Sequence, residues 1–195
     1  MGNNILGNCS GIDKNADSVD LKESRRVKLT KKMMKDALIE LLCNKPLGKI
    51  TITEICEKAD INRTTFYKYY SDEHSLFLEI EKDYYNVIDT EMKNSNTTLL
   101  TMLNFFKENS TLSRVLFASN TSPVLGRRIF QIPQIRKAIT DRVKVSLPHD
   151  REEKLLYFLF SGGYALVVEW IRSDFEMPTE ELASMLNEFI RITAI

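Results

Sequence analysis

Two helix-start signals stand eleven positions apart in the chain, Thr51-Ile52-Thr53-Glu54 and Asn62. The first is a T-x-x-E capping box. Thr51 satisfies a free backbone N–H at a helix start, and Glu54 reaches back to cap in return. The second is a good single N-cap. Between them is space for about two turns of helix, ending near Ala59, and then the break Asp60-Ile61-Asn62. Asp60 tolerates a left-handed backbone better than most residues that carry a side chain. Two short helices joined by so tight a turn, with Ile52, Ile55 and Cys56 on the first and Ile61 at the corner, predict a helix-turn-helix.

The second helix opens the stretch Asn62–Asp72, "NRTTFYKYYSD", with four rings in five positions. On a helix, Phe66 and Tyr70 share one face and Tyr69 sits at its edge, while Thr64, Tyr67 and Lys68 point away. Phe66 and Tyr70 are expected to pack on the preceding helix and Ile61. Arg63, Thr64, Thr65, Tyr67 and Lys68 are then presented outward. Hydroxyls and cations on an exposed helix suit a phosphate backbone, and Arg and Thr side chains can also read base edges. Tyr69 reads equally as the edge of the core or as a phosphate contact.

Charge distribution bears on the same region. Residues 22–70 hold twelve Lys and Arg against six Asp and Glu, whereas residues 71–195 hold fourteen against eighteen. Such asymmetry fits a nucleic-acid module carried by another domain, or basic clustering on a solvated face.

Elsewhere the periodicity is helical. Residues 1–20 are rich in Asn, Gly, Asp and Ser and read as a mobile tail. A helix is expected from Ser24, with a crowd of basic residues in its first turns, broken by "NKPLGK". After Ser71-Asp72 a longer helix runs to Asn94–Asn96, followed by short helices over Thr98–Lys107 and Leu112–Ala118. "NTSPVLG" marks the next break, and a basic segment over Arg127–Val145 is expected to be interrupted or kinked at Pro133. Asp150-x-x-Glu153 reads as a second capping box, opening an apolar helix to about Ser173. Pro178 starts the last one. The expected fold is all-α with about nine helices: a tail (1–20), a three-helix helix-turn-helix DNA-binding domain (21–72), and a C-terminal helical body (73–195).

At these residues the chain resembles the TetR/AcrR family of transcriptional regulators. "ITITEICEKADINRTTFYKYYSDEHSLF" is similar to that family's DNA-binding domain over about Lys28–Glu81. "FLFSGGYALVVEWIRSDFEMPTEELASMLNEFI" is more loosely similar to the family's last two helices. The resemblance implies a homodimer, joined through those last two helices, that grips a pseudo-palindromic double-stranded operator. It implies that Thr51, Tyr67 and Tyr69 donate to phosphates, with Asn62, Arg63, Thr64 and Lys68 at the DNA surface. Two positions depart from the family pattern. Asp60 replaces the usual glycine, and Glu73 replaces a lysine that contacts phosphate, which implies either weaker binding or a load shifted to Lys49, Lys68 and the basic start of the first helix.

The resemblance also implies a small-molecule pocket in the body. Its aromatic candidates are Phe105, Phe106, Phe117, Tyr157, Phe160 and Tyr164, all of which also read as plain core. A small apolar or aromatic effector would then release the operator. The alternative is a regulator or adaptor controlled by a protein partner. An enzyme is not expected: no phosphate-cradling glycine loop, no metal set and no histidine beside a plausible nucleophile is present, and no cofactor is implied. The apolar run Leu155–Ile171 contains Glu169 and, at 17 residues, falls short of the ~20 that a membrane span needs. It reads as a helix buried in an interface. Three cysteines without pairing or metal-ligand spacing make the cytoplasm the expected compartment.

Overall fold

The computed structural model describes residues 14–94, 99–118, 123–143 and 148–192. Among the described residues every regular element is helical: α1 (Lys14–Leu42), α2 (Ile52–Lys58), α3 (Arg63–Tyr67), α4 (Glu73–Asn94), α5 (Leu99–Glu108), α6 (Ser110–Ser113), α7 (Pro123–Phe130), α8 (Pro133–Thr140), α9 (His149–Arg172) and α10 (Thr179–Ile192). A 3₁₀ turn, Leu47–Lys49, precedes α2, and a π-helical turn, Arg114–Ala118, continues α6. The count is ten rather than nine because the basic segment is two helices. Gln131 and Ile132 separate them, and Pro133 takes the first position of α8, where its missing N–H costs nothing.

Two further boundaries differ from expectation. α1 begins at Lys14, so the expected tail is helical over residues 14–20; residues 1–13 lie outside the described residues. The box expected at Asp150 and Glu153 does not form. α9 starts at His149 behind Pro148 with no side-chain cap, because Glu153 is drawn into an ion pair with Arg136 of α8. The breaks expected around Asn96 and Thr121, and the end of the basic segment at Val145, lie outside the described residues.

α1, α2 and α3 pack as a compact trio, and α4 runs on from it. Leu76, Phe77, Ile80, Tyr84, Ile88 and Met92 give α4 one buried stripe, matching the 3.6-residue period. Tyr84 anchors it in the body: its hydroxyl lies 2.7 Å from Ser113 Oγ, which itself donates to the Phe106 carbonyl at 2.8 Å. α9 is the hub of the body and touches α5, the π-helical turn, α7 and α8, while α10 lies along α5. After α9 the chain turns through two left-handed residues, Asp174 and Phe175. Such backbone costs a bulky residue about 1–2 kcal/mol. Burial of the Phe175 ring edge-on to Trp170, at 4.8 Å between centroids, offsets it.

Candidate nucleic-acid interface and body cavity

Both halves of the helix-turn-helix are fixed by short-range hydrogen bonds. Thr51 N–H donates to Glu54 Oε2 at 2.9 Å, and Glu54 N–H donates to Thr51 Oγ1 at 3.3 Å. The Thr51 hydroxyl also donates to Glu54 Oε2, at 2.9 Å. Lys45 pairs with the same carboxylate and, ahead of the two Thr51 bonds, lowers the Glu54 pKa to about 2. In the turn, Asp60 adopts φ 51°, the conformation for which glycine is otherwise the usual choice. α3 then starts on Asn62, whose Oδ1 accepts from Thr65 N–H at 2.7 Å and from the Thr65 hydroxyl at 2.9 Å.

The crowded rings separate by face. Phe66 is fully buried and Tyr70 nearly so, with Lys31 of α1 5.4 Å from the Tyr70 ring centre. Tyr67 stands edge-on to Phe66 and is half exposed, at 50%. Arg63, Thr64 and Lys68 are exposed, Thr65 and Tyr69 are half-buried, and Lys68 Nζ lies 5.6 Å from the Tyr69 ring centre. Lys49 and Thr51 are exposed at the start of α2. Arg63, Lys68 and Lys49 pair with no carboxylate among the described residues. The N-cap bonds leave Asn62 and Thr65 engaged mainly with each other.

Two of the basic residues in the second half of α1, Lys31 and Lys35, are otherwise occupied. Lys31 reaches Glu79 at 3.2 Å, while Lys35 reaches Glu79 at 2.8 Å and Asp83 at 2.5 Å, tying α1 to α4. Burial alone would lower the Lys35 pKa, but the Asp83 and Glu79 carboxylates outweigh it and hold the ammonium above its usual value. Lys58 pairs with Glu40. Lys28 and Lys32 remain exposed on the outer face. Glu73 sits in the first turn of α4 behind the Asp72 cap, where Asp72 Oδ1 accepts from Ser75 N–H at 2.7 Å. A carboxylate is favoured there by the helix dipole, a local reason for glutamate at this position.

The body encloses a cavity of about 450 Å³, walled by α4, α5, the π-helical turn and α7 to α10. Of the aromatic candidates, Phe106, Phe117, Phe160 and Tyr164 line it. Phe105 and Tyr157 do not: Phe105 packs on Tyr84 and Phe106, and Tyr157 lies against Phe130. Polar lining residues that the aromatic pattern missed are Gln134, Arg142 and Asn187. Gln134, Ala138 and Arg142 recur every fourth residue along α8 and its end, a period the sequence does carry. The cavity mouth is apolar, formed by Phe158, Leu166 and Phe189 around Gly162, all exposed. Gly126 of α7 lies against the Tyr164 ring so closely that a Cβ there would stand 2.9 Å from Cζ.

A buried carboxyl group also acts on Tyr164. Glu81 of α4 is 2% exposed and its nearest cation, Arg128 Nη1 of α7, is 3.7 Å away, with Glu81 Oε1 lacking a hydrogen-bond partner. Burial first, and then the Glu81 charge, raise the Tyr164 pKa. Among the described residues no three metal-ligating side chains cluster.

Comparison with known proteins bears on the same regions. Residues 93–192 match the family model described as the transcriptional regulator C-terminal region of TetR type. An uncharacterised HTH-type transcriptional regulator of Bacillus subtilis, YxbF, is 21% identical over 169 residues, covering 80% of this chain and 43% of its own length. The chain thus spans less than half of that relative. A TetR transcriptional regulator from Streptococcus agalactiae superposes with a TM-score of 0.68 at 22% identity, over 88% of this chain and 98% of that one. The dihydroxyacetone kinase operon activator DhaS superposes with a TM-score of 0.56 at 16% identity, over 85% and 95% respectively.

Proposed function

The chain belongs to the TetR family of transcriptional regulators, and from that premise we propose that it is a repressor that holds a pseudo-palindromic operator as a homodimer. The observation that carries this reading is the division of α3 between faces. Phe66 and Tyr70 turn inward, while Arg63, Thr64, Tyr67 and Lys68 turn out with their polar groups available. Residues 21–72 are assigned to DNA binding and residues 73–195 to regulation and dimerisation. Lys49, Thr51, Tyr67, Lys68 and Tyr69 are assigned to phosphates, Arg63 and Thr64 to base edges, and Asn62 and Thr65 to holding the start of α3 at the DNA surface.

The dimer face is assigned to α9 and α10. Phe158, at 68% exposed, and Leu166 on α9, with Phe189 and Ile192 on α10, are large apolar side chains left on the surface of the body. Exposed apolar side chains of this size mark a surface that a partner covers. α9 is also long and apolar enough by composition to cross a membrane, but it packs against α5, α7 and α8 within the helical body, and we assign its remaining exposed apolar side to a second copy of the chain. A cytoplasmic location follows from the assigned DNA partner.

Control is assigned to a small molecule in the body cavity rather than to a protein partner, because the body has a space to fill. Met92 of α4 lines that space, and α4 is salt-bridged to α1 through Lys31 and Lys35. An effector that prefers a shifted α4 would move the reading helices out of register with the groove. DhaS, similarly folded, is named an operon activator; for the repressor proposed for this chain, a reporter placed behind the operator is expected to rise when the chain is removed. A gel shift against the upstream region of its own gene tests the reading. Retardation with sequence preference, weakening steeply as salt rises, is expected. Binding indifferent to sequence refutes it.

A further inference from the structure

The cavity in the body has a chemical polarity. Its walls are apolar apart from Gln134, Arg142, Tyr164 and Asn187. Arg142 is half-buried just beyond α8, donates through Nη1 to the Ala138 carbonyl, and pairs with no carboxylate among the described residues. Gln134 and Asn187 each hold a buried side-chain carbonyl oxygen, Oε1 and Oδ1, with no hydrogen-bond partner; these atoms accept and so offer a carboxylate no bond. The charge preference of the cavity is therefore set by Arg142, because a half-buried guanidinium without a counter-ion favours an incoming anion over a neutral group or a cation.

Size and wall chemistry limit the rest of the guest. About 450 Å³ is space for roughly 15 non-hydrogen atoms at ~30 Å³ each. The walls from α4, α5, α9 and α10 offer Met92, Met102, Phe106, Leu159, Leu186 and Ile190, with no other charge. Methionine side chains adapt to a flexible chain.

We propose that this cavity takes an anionic amphiphile, a monocarboxylate with an apolar body of about ten carbons, with its carboxylate held by Arg142. The proposal rests on the reading of the body as an effector domain and names the effector's class. A cation of the same length is excluded by Arg142. An alcohol of the same length fills the walls but forgoes the charge-assisted bonds.

Calorimetric titration of the full chain, without DNA, with decanoate, decanol and decyltrimethylammonium tests this. Decanoate is expected to bind roughly tenfold to hundredfold more tightly than decanol, and the ammonium not to bind. Arg142→Gln should abolish the preference for decanoate over decanol, and Arg142→Lys should restore part of it, with decanol affinity unchanged in both. Equal affinity for decanoate and decanol, absence of decanoate binding, or a preference that survives Arg142→Gln overturns the proposal. Gel shifts on the same preparations keep the two readings separable. A chain that retards its operator but ignores decanoate sinks the ligand class alone. A chain that binds decanoate with Arg142-dependent preference and never retards DNA sustains the ligand class while removing the operator.

Discussion

Replacing Gly126 with alanine sets two effects of known size against each other. Gly126 lies inside α7, where alanine should gain about 1 kcal/mol from backbone entropy. Against that, its new Cβ would stand 2.9, 3.1 and 3.2 Å from three atoms of the Tyr164 ring, whereas carbons rest comfortably at about 3.5–4.0 Å. The ring must therefore retreat by about 0.5 Å or more. Phe117 and Phe160 flank it, at 6.0 and 5.8 Å between centroids, so retreat in those directions disturbs a packed aromatic row. Overpacking of this kind costs about 1–3 kcal/mol. The net expectation is a variant less stable by up to about 2 kcal/mol, read by urea unfolding. A double-mutant cycle isolates the cause. In a Tyr164→Leu background the obstruction is gone, and Gly126→Ala should then stabilise by about 1 kcal/mol. If alanine stabilises the otherwise unchanged chain, or acts equally in both backgrounds, the contact between α7 and the Tyr164 ring does not govern this site.

Two further perturbations address the helix-turn-helix. Phe66→Ala should lower stability by about 3–5 kcal/mol because the ring is fully buried. Tyr67→Phe should leave urea unfolding within about 0.5 kcal/mol and weaken operator binding roughly tenfold in a gel shift; similar losses of both properties in both variants would contradict the face assignment. The Glu54 carboxyl is held at about 2 when folded, chiefly by Lys45 and then by Thr51, against about 4.3 in an unfolded chain. A depressed carboxyl supports folding above its unfolded pKa and loses that support as pH falls toward the folded value. Thermal melts should thus fall more steeply between about pH 4.3 and 2 in the unaltered chain than in Glu54→Gln, and parallel curves would rule the pair out as a contributor.

The parts legible in the sequence were those fixed by neighbours. Thr51, Glu54, Asp60 and Asn62 act through partners three residues away or through their own φ, so spacing alone placed α2, the turn and α3. Where partners are distant, local signals misled. Asp150 and Glu153 have the spacing of a capping box, yet Arg136 on another helix takes the Glu153 carboxylate. Lys31 and Lys35 read as free positive charge until α4 brings Glu79 and Asp83 beside them. Rings point to the cavity only in part: four of the six aromatic candidates line it, while its polar lining residues Gln134, Arg142 and Asn187 come from segments distant in the chain, so no local signal marks them as one set.

The N-cap of α3 has a consequence for how such a protein diverges. Asn62 and Thr65 hold each other, and Phe66 holds the helix to the core. Change at any of those three puts the shape of the reading head at risk before it alters a preference. On the proposed assignment, that leaves Arg63 and Thr64 as the positions where substitution can rewrite the target at little structural cost. A vocabulary of two side chains per half-site encodes little information, so paralogues descended from such a chain would part ways at these letters first and retain the remainder of α3 as inherited grammar.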